Sequence, residues 1–459
     1  MSTDPSQLIE NNVAITDSLL YTVKPSSVRA RQYRASIPAS NSVTSQPGQT
    51  SIFYVPARSQ CFLSGQETVL KYTIKNVNTL TANLALKTDG FGSSVISRID
   101  VYHGSNLLES ISQANVLYSL LFDAMLNPGD RAGLSGLYGG ASDITTPRVG
   151  ATLTADGTNS IPGQLTVCIP LISSVCGLGL DKYLPLGVAD DYRIEVTWAD
   201  EISGMVAATS GTDTYMSGYS TSWVIQNPEI LCNIIELDAQ GMALVNSVAP
   251  QSGETILHGT SWRAYNSSMP SGSGGNFSTL VPARFASLNS IICAPRPAAR
   301  TIQKEAYSIG YRLNPNIQSY FWRLGGALVP QRPVVLINSS STGGYSEALF
   351  EFGKCFKTPS GSSTLRADFY NVAKTANAQM GAVTTPGATT STAAFAIGQE
   401  FVTFSGKNDV LLSGINTLSN NIFFECDVSS SGNDAMTLNF FANYDILFVI
   451  QDGICSSRF

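Results

Sequence analysis

The chain reads as an all-β protein with a few short helices, built from two tandem sandwiches, each the size of an eight-stranded jelly roll. Three observations carry this. Apolar and polar residues alternate with period two along most of the structured stretches. One order of elements, a strand followed by a small-residue connection and a helix, occurs twice about 220 residues apart. No strand–helix–strand rhythm of a parallel sheet is present.

The first copy of the repeat is the strand SRIDVY, the connection HGSNLLE and the helix SQANVLYSLLFDAML. The second is SYFWRLGGALV, then PQRPVVLINSSSTGG, then YSEALFEFGKCF. The repeat lies in element order, not in identity. In the first helix Val116, Leu120 and Ala124 with Leu117, Leu121 and Met125 form a stripe at i, i+4, i+8, and Asn127-Pro128-Gly129 stops it. In the second, Tyr345, Leu349 and Phe352 share a face. Tyr192, Ile194, Val196 and Trp198 alternate with Arg193, Glu195 and Thr197, the pattern of a half-buried antiparallel strand. Leu70, Tyr72 and Ile74 do the same. Leu438, Phe440, Ala442, Tyr444, Ile446, Phe448 and Ile450 fall on one face of a strand too long and apolar for an exposed edge, so it is expected at the centre of a sheet.

Between these elements the expected organisation is an N-terminal arm over 1–47, a first jelly roll over 48–205, a linker over 206–222 and a second jelly roll over 223–459. The arm carries Pro25, Pro38 and Pro47, and a weak helix is expected near Ser6–Leu20. The Gly/Ser/Thr-rich stretch from Glu201 to Ser222 marks the boundary, and Trp223 opens a fresh strand. Loops are expected over 129–162 and 375–392, and a short helix over Arg300–Ile309.

Composition narrows function. Charged residues make up 13% of the 459, about half the usual ~25%. A polar but weakly charged surface suits burial against neighbours, since each desolvated charge is costly. A loop-rich β protein without that role has the same composition. The net charge of −6 argues against a generally nucleic-acid-coating surface. One basic cluster stands out, Lys24, Arg29, Arg31 and Arg34 on the arm. It reads either as a contact to nucleic acid or an acidic partner, or as a solvated arm.

Catalytic equipment is sparse, and no catalytic, cofactor-binding or metal-ligating residue is assigned. The two histidines, His103 and His258, read as turn or packing residues. No HExxH, GxSxG or P-loop occurs. Adjacent Asp190 and Asp191 precede a strand and read as loop and strand-entry residues, since neighbours along a strand face opposite ways and do not easily act as paired carboxylates. Asp123 and Asp130 flank a helix end and are expected in solvent. The eight cysteines form no CxxC pair and are expected to be mostly free, buried thiols. The first 20 residues carry Asp4, Glu10 and Asp17 without a secretory pattern, so synthesis in the cytoplasm is expected. The longest strongly apolar run, Ile446–Ile450, is far below the ~20 residues of a membrane helix.

Several segments resemble a known family. YHGSNLLESI (Tyr102–Ile111) is similar to the strand-to-helix passage of double jelly-roll major capsid proteins of icosahedral double-stranded DNA viruses. IPLISSVCGLGLDKYLPLG (Ile169–Gly187) and the strand DYRIEVTW resemble the late part of that family's first jelly roll. YFWRLGGALVPQRPV (Tyr320–Val334), followed by SEALFEF, resembles its second. The likeness runs in order over roughly residues 48–459 and is nearest to polinton-like virus and virophage-type members. It implies two jelly rolls standing side by side, and a homotrimer of hexagonal outline that tiles a virion shell. It also implies penton and minor capsid partners, and an inward-facing arm near packaged DNA or an internal membrane. It supplies no catalytic residues. Competing readings are a non-viral carbohydrate-binding or adhesion module, and a glycoside-processing enzyme. The enzyme would need two convergent carboxylates, and no such pair stands out.

Overall fold

The computed structural model describes residues 30–77, 85–88, 90–140, 152–153, 163–200, 205–209, 212–214, 223–248, 254–272, 274–298, 309, 312–336, 346–356, 394–402, 414–429 and 435–459. Lys24, Arg29, nearly all of the expected helix at 300–309, the helix near Ser6–Leu20 and the 375–392 loop lie outside them.

Sixteen principal strands divide into two sets of eight. The first set is β1 (Ala30–Pro38), β2 (Thr50–Val55), β3 (Cys61–Asn76), β4 (Ile96–His103), β5 (Asn106–Ser112), β6 (Gln164–Pro170), β7 (Tyr192–Trp198) and β8 (Trp223–Leu237). The second is β9 (Thr255–Met269), β10 (Gly275–Val281), β11 (Leu288–Pro297), β12 (Ile317–Leu324), β13 (Ala327–Val335), β14 (Ile397–Glu400), β15 (Ile422–Val428) and β16 (Met436–Gln451). In the first half one sheet runs β1-β8-β3-β6 and the other β2-β7-β4-β5. In the second half the same steps give β9-β16-β11-β14 and β10-β15-β12-β13. First strand beside last, and second beside next-to-last, is the double Greek key of a jelly roll, and the chain makes it twice.

The repeated helix follows the fifth strand in both halves, as α1 (Ala114–Met125) and later Ser346–Lys354. The connection HGSNLLE, expected as a turn, is mostly strand. Gly104 and Ser105 alone turn the chain between β4 and β5, just as Gly325 and Gly326 do between β12 and β13. Gly104 and Gly325 hold φ of 56° and 54°, which a two-residue hairpin loop demands and a side chain resists.

Register corrects the expected domain limits. Trp223–Leu237, placed at the head of the second domain, pairs with β3 and with β1 and so closes the first jelly roll. Ala30–Pro38, placed in the arm, is that jelly roll's first strand. The linker expected at 206–222 is not a plain tether: Met205–Thr209 and Thr212–Thr214 form a small antiparallel sheet with Ala85–Thr88 and Thr152–Leu153. Small-residue composition says that a segment lacks core-forming side chains, but backbone groups still pair across a sheet. The passage between the halves instead runs through the helix Ala239–Val248. The loop expected from 129 onward begins with two short helices, Pro128–Gly133 and Ser135–Tyr138.

Burial follows the alternation. Tyr192, Ile194, Val196 and Trp198 are buried while the residues between them are half-buried. Tyr72 meets Trp198 edge-on at 4.9 Å in the first core. Trp322 packs among Phe424, Phe440 and Phe401 in the second. β16 lies between β9 and β11, at the sheet centre its apolar run demands. All eight cysteines are free, six of them buried. Burial pushes Cys232 and Cys455 up to about 11, so both stay protonated thiols at neutral pH.

Candidate assembly surfaces and the junction between the halves

The two described arm arginines sit on β1. Arg31 is exposed and pairs with Glu236 on β8 at 2.8 Å, its guanidinium 5.5 Å from the Tyr33 ring. Arg34 stands opposite Asn233. Burial pushes the nearby Glu229 carboxyl up, but hydrogen bonds from Lys71 and Ser36 and the charges of Lys71 and Arg34 outweigh it and hold Glu229 below the usual carboxylate range. The basic cluster seen in sequence is therefore partly answered by acids of the same sheet. Around it the polar side chains answer one another: Asn233 and Gln32 donate to Glu67, and Thr73 bonds Thr166.

The outer faces of the other two sheets match each other. Tyr54, Arg193, Tyr102 and Leu107 form one cross-strand row, and Leu280, Phe423, Arg323 and Leu328 form its counterpart. Arg193 lies 4.3 Å over Tyr102 and pairs with Glu195 at 3.0 Å. Arg323 lies 4.7 Å over Phe423 and pairs with Glu425 at 2.7 Å. Tyr54, Leu107, Leu280 and Leu328 are exposed at the row ends. Stacking and pairing hold each arginine flat on the sheet, leaving apolar ends for contact.

Where the halves meet, the edge strand β5 packs against the edge strand β9. Glu109 of β5 is buried and accepts from Ser173 Oγ (2.6 Å), Ser174 N (3.0 Å), Ser174 Oγ (2.7 Å) and Ser261 of β9. Desolvation raises its pKa, against the opposing effect of these bonds. The backbones also join: Thr260 N donates to Gly179 O at 2.9 Å, and Ala189 N to Gly453 O at 2.9 Å. A Cβ on Gly179 would overlap the Thr260 carbonyl oxygen, so the chains approach as closely as backbone allows.

Two further clusters span this junction. Asp123 on α1, expected in solvent, is 4% exposed and pairs with both Arg131 and Arg312. The short helix Pro128–Gly133, capped by the Asn127 side chain on Asp130 N, folds Arg131 back onto it. Arg312 arrives from the second half and is wholly buried. No spacing in the sequence signals this triad. Asp130 is exposed, as expected. The third cluster holds His258 of β9: its Nδ1 is 2.6 Å from Asp181 of the first half, and its Nε2 is 3.3 Å from Asp445 of β16. His103, buried, accepts from Cys455 N at 3.2 Å and packs on Tyr192, the packing role expected of it. Among the described residues no group of three or more His, Cys, Asp or Glu is arranged to hold a metal ion.

No family model and no curated protein matches the chain. Solved structures do. The Faustovirus major capsid protein superposes with a TM-score of 0.58 at 10% identity, over 97% of this chain and 94% of that one. PBCV-1 VP54, fitted into a reconstruction of the virophage Sputnik, gives 0.57 at 10% identity over 96% and 99%. The mavirus major capsid protein gives 0.55 at 10% identity over 100% and 95%. The fold is thus the double jelly roll of viral major capsid proteins, matched end to end.

Proposed function

We propose that this chain is a major capsid protein: a structural subunit forming closed homotrimers that tile an icosahedral virion shell around a DNA genome. The observation that carries the reading is the eight-strand order made twice within one chain, over nearly the full length of the capsid proteins it resembles. Within the chain, β5 of the first half packs on β9 of the second. The repeat makes β13 the counterpart of β5, and β1 the counterpart of β9. Among the described residues, β13 and β1 are sheet edges paired on one side only. Repeating the internal junction between copies sets β13 of one subunit against β1 of the next. Such head-to-tail contact closes into a ring when the rotation suits. Three two-lobed subunits then present six similar lobes to a six-fold position. The low share of charged residues, 13% of the chain, limits the desolvation penalty of lateral packing with itself, pentons and minor capsid proteins.

The native mass of the purified protein, by light scattering with negative-stain images of the same peak, tests this. The expected mass is three times 48.8 kDa, with hexagonal outlines. A monomer that persists at high concentration overturns it.

The arm preceding β1, with Lys24 and Arg29, is proposed to face the particle interior, toward packaged DNA or an internal membrane, whereas Arg31 and Arg34 lie on β1 itself. Because β1 begins at Ala30, a deletion of 1–29 spares the sheet, whereas one reaching Arg34 removes half a strand. Particles of the 1–29 deletion are expected to package less genome or to lose interior order. Unchanged content and interior would remove the arm's role.

A further inference from the structure

We infer that protonated His258 is a pH-dependent latch between the two jelly rolls, and that its deprotonation weakens the junction. The imidazole sits between two carboxylates from different halves. Asp181 belongs to the first, in the turn whose backbone already meets β9, where Asp181 N donates to His258 O at 3.4 Å. Asp445 belongs to the second, two residues along β16 from Leu447, which faces His258, and so on the same face. An imidazolium attracts both carboxylates by its charge and donates from Nδ1 to Asp181; a neutral ring loses the charge that holds the pair together.

The two carboxylates differ in what they lose. Asp445 is 6% exposed and is held by Ser287 Oγ at 2.6 Å and Asn289 Nδ2 at 2.7 Å. Asp181 has a side chain 63% exposed, so water replaces the imidazole there at little cost. Nδ1 is hydrogen-bonded to Asp181 while Nε2 faces Asp445 by charge alone, so deprotonation removes the charge that ties carboxylates of both halves to one ring, and the exposed Asp181 side is where water enters.

Other charges nearby leave this intact. β16 contributes Asp445 and, on the opposite face, Tyr444. The terminal strand Ile454–Arg458 contributes Arg458, on the same face as His258 but beyond Leu447. β5 contributes Glu109, bound to Ser261 on the other face of β9. The Asp181 turn also carries Lys182, and β10 carries no titratable group. The Asp445 carboxylate facing Nε2 raises the His258 pKa above 6.5, burial opposes it, and Asp181 adds to the rise. For Asp445, burial pushes the pKa up, but His258, Ser287 and Asn289 hold it below 3.8. The sign follows by linkage. The His258 contribution is complete below pH 6.5 and is lost as pH rises through its raised value. The Asp445 contribution is present above 3.8 and lost in stronger acid.

The chain has two histidines, so protein labelled with 13C-histidine gives two imidazole signals. Full-length protein is titrated by NMR, with hydrogen exchange at Gly179–Lys182 followed in parallel and corrected for intrinsic base catalysis. The expected result is a His258 midpoint above 6.5, with junction exchange rising through the same midpoint. Asp181→Asn is expected to shift the midpoint down and abolish the coupled rise, while an unchanged His103 signal reports an intact fold. A wild-type midpoint at or below 6.5, or a midpoint that ignores Asp181→Asn, overturns the latch. Neither readout depends on shell assembly, so failure here is distinct from failure of the capsid reading.

Discussion

Asp123→Ala is expected to destabilise the protein by about 3–5 kcal/mol, the loss seen when one partner of a buried ion cluster is removed. The carboxylate is 4% exposed and holds two guanidiniums, Arg131 at 5% and Arg312 at 0%. Removing it leaves two desolvated positive charges beside each other. Since a folded domain is held by only about 5–15 kcal/mol, the variant should unfold at much lower denaturant. The Arg312 bond crosses 189 residues of chain and joins α1 to the second half, so the damage should appear as separation of the halves as well as lowered stability. Asp123→Ala combined with Arg312→Met should recover part of the loss, and the double-mutant cycle measures the coupling directly. A loss below about 1 kcal/mol, typical of exposed pairs, would sink the account of a buried cluster.

Trp322→Ala is expected to cost about 3–5 kcal/mol through the cavity it leaves. The ring is wholly buried, with Phe424 centred 5.0 Å away and Phe440 at 5.9 Å, linking the two sheets of the second jelly roll. Its indole nitrogen has no hydrogen-bond partner among the described residues. Trp322→Phe removes that buried donor along with part of the ring, and relief of an unmet donor is worth about 1–3 kcal/mol. The phenylalanine variant is therefore expected to lose much less than the alanine one. Thermal unfolding of both variants checks the order, and equal losses would mean that the indole nitrogen is satisfied in solution.

The sandwich class and the paired helices were legible because they rest on local periodicity. Tyr192 to Trp198 declares one buried face without reference to any other segment. The Leu438–Ile450 run declares burial on a central strand. The extra strand hidden in NLLESIS was missed because its apolar residues are adjacent, Leu107 outward and Leu108 inward, which a count of alternation reads as a turn. The assignment of β8 to the first half was illegible for a different reason. Its alternation is clear, but its partners β3 and β1 lie more than 140 residues upstream, and composition at 201–222 resembles a linker.

The polar clusters show the same division. Asp123 in an apolar helix and His258 in a strand both read as isolated residues in the pattern alone. Sequence by itself determined which faces of the alternating strands point inward, that one architecture is used twice, and how little charge the chain carries. These follow from the two-residue period of a strand and from composition. Only the tertiary structure decided which strands are neighbours, where one jelly roll ends, and that Glu109, Asp123 and His258 meet partners from the other half. Those outcomes depend on groups brought together across 77 residues for His258 and Asp181 and up to 189 for Asp123 and Arg312, or on a desolvation that no single segment imposes on itself.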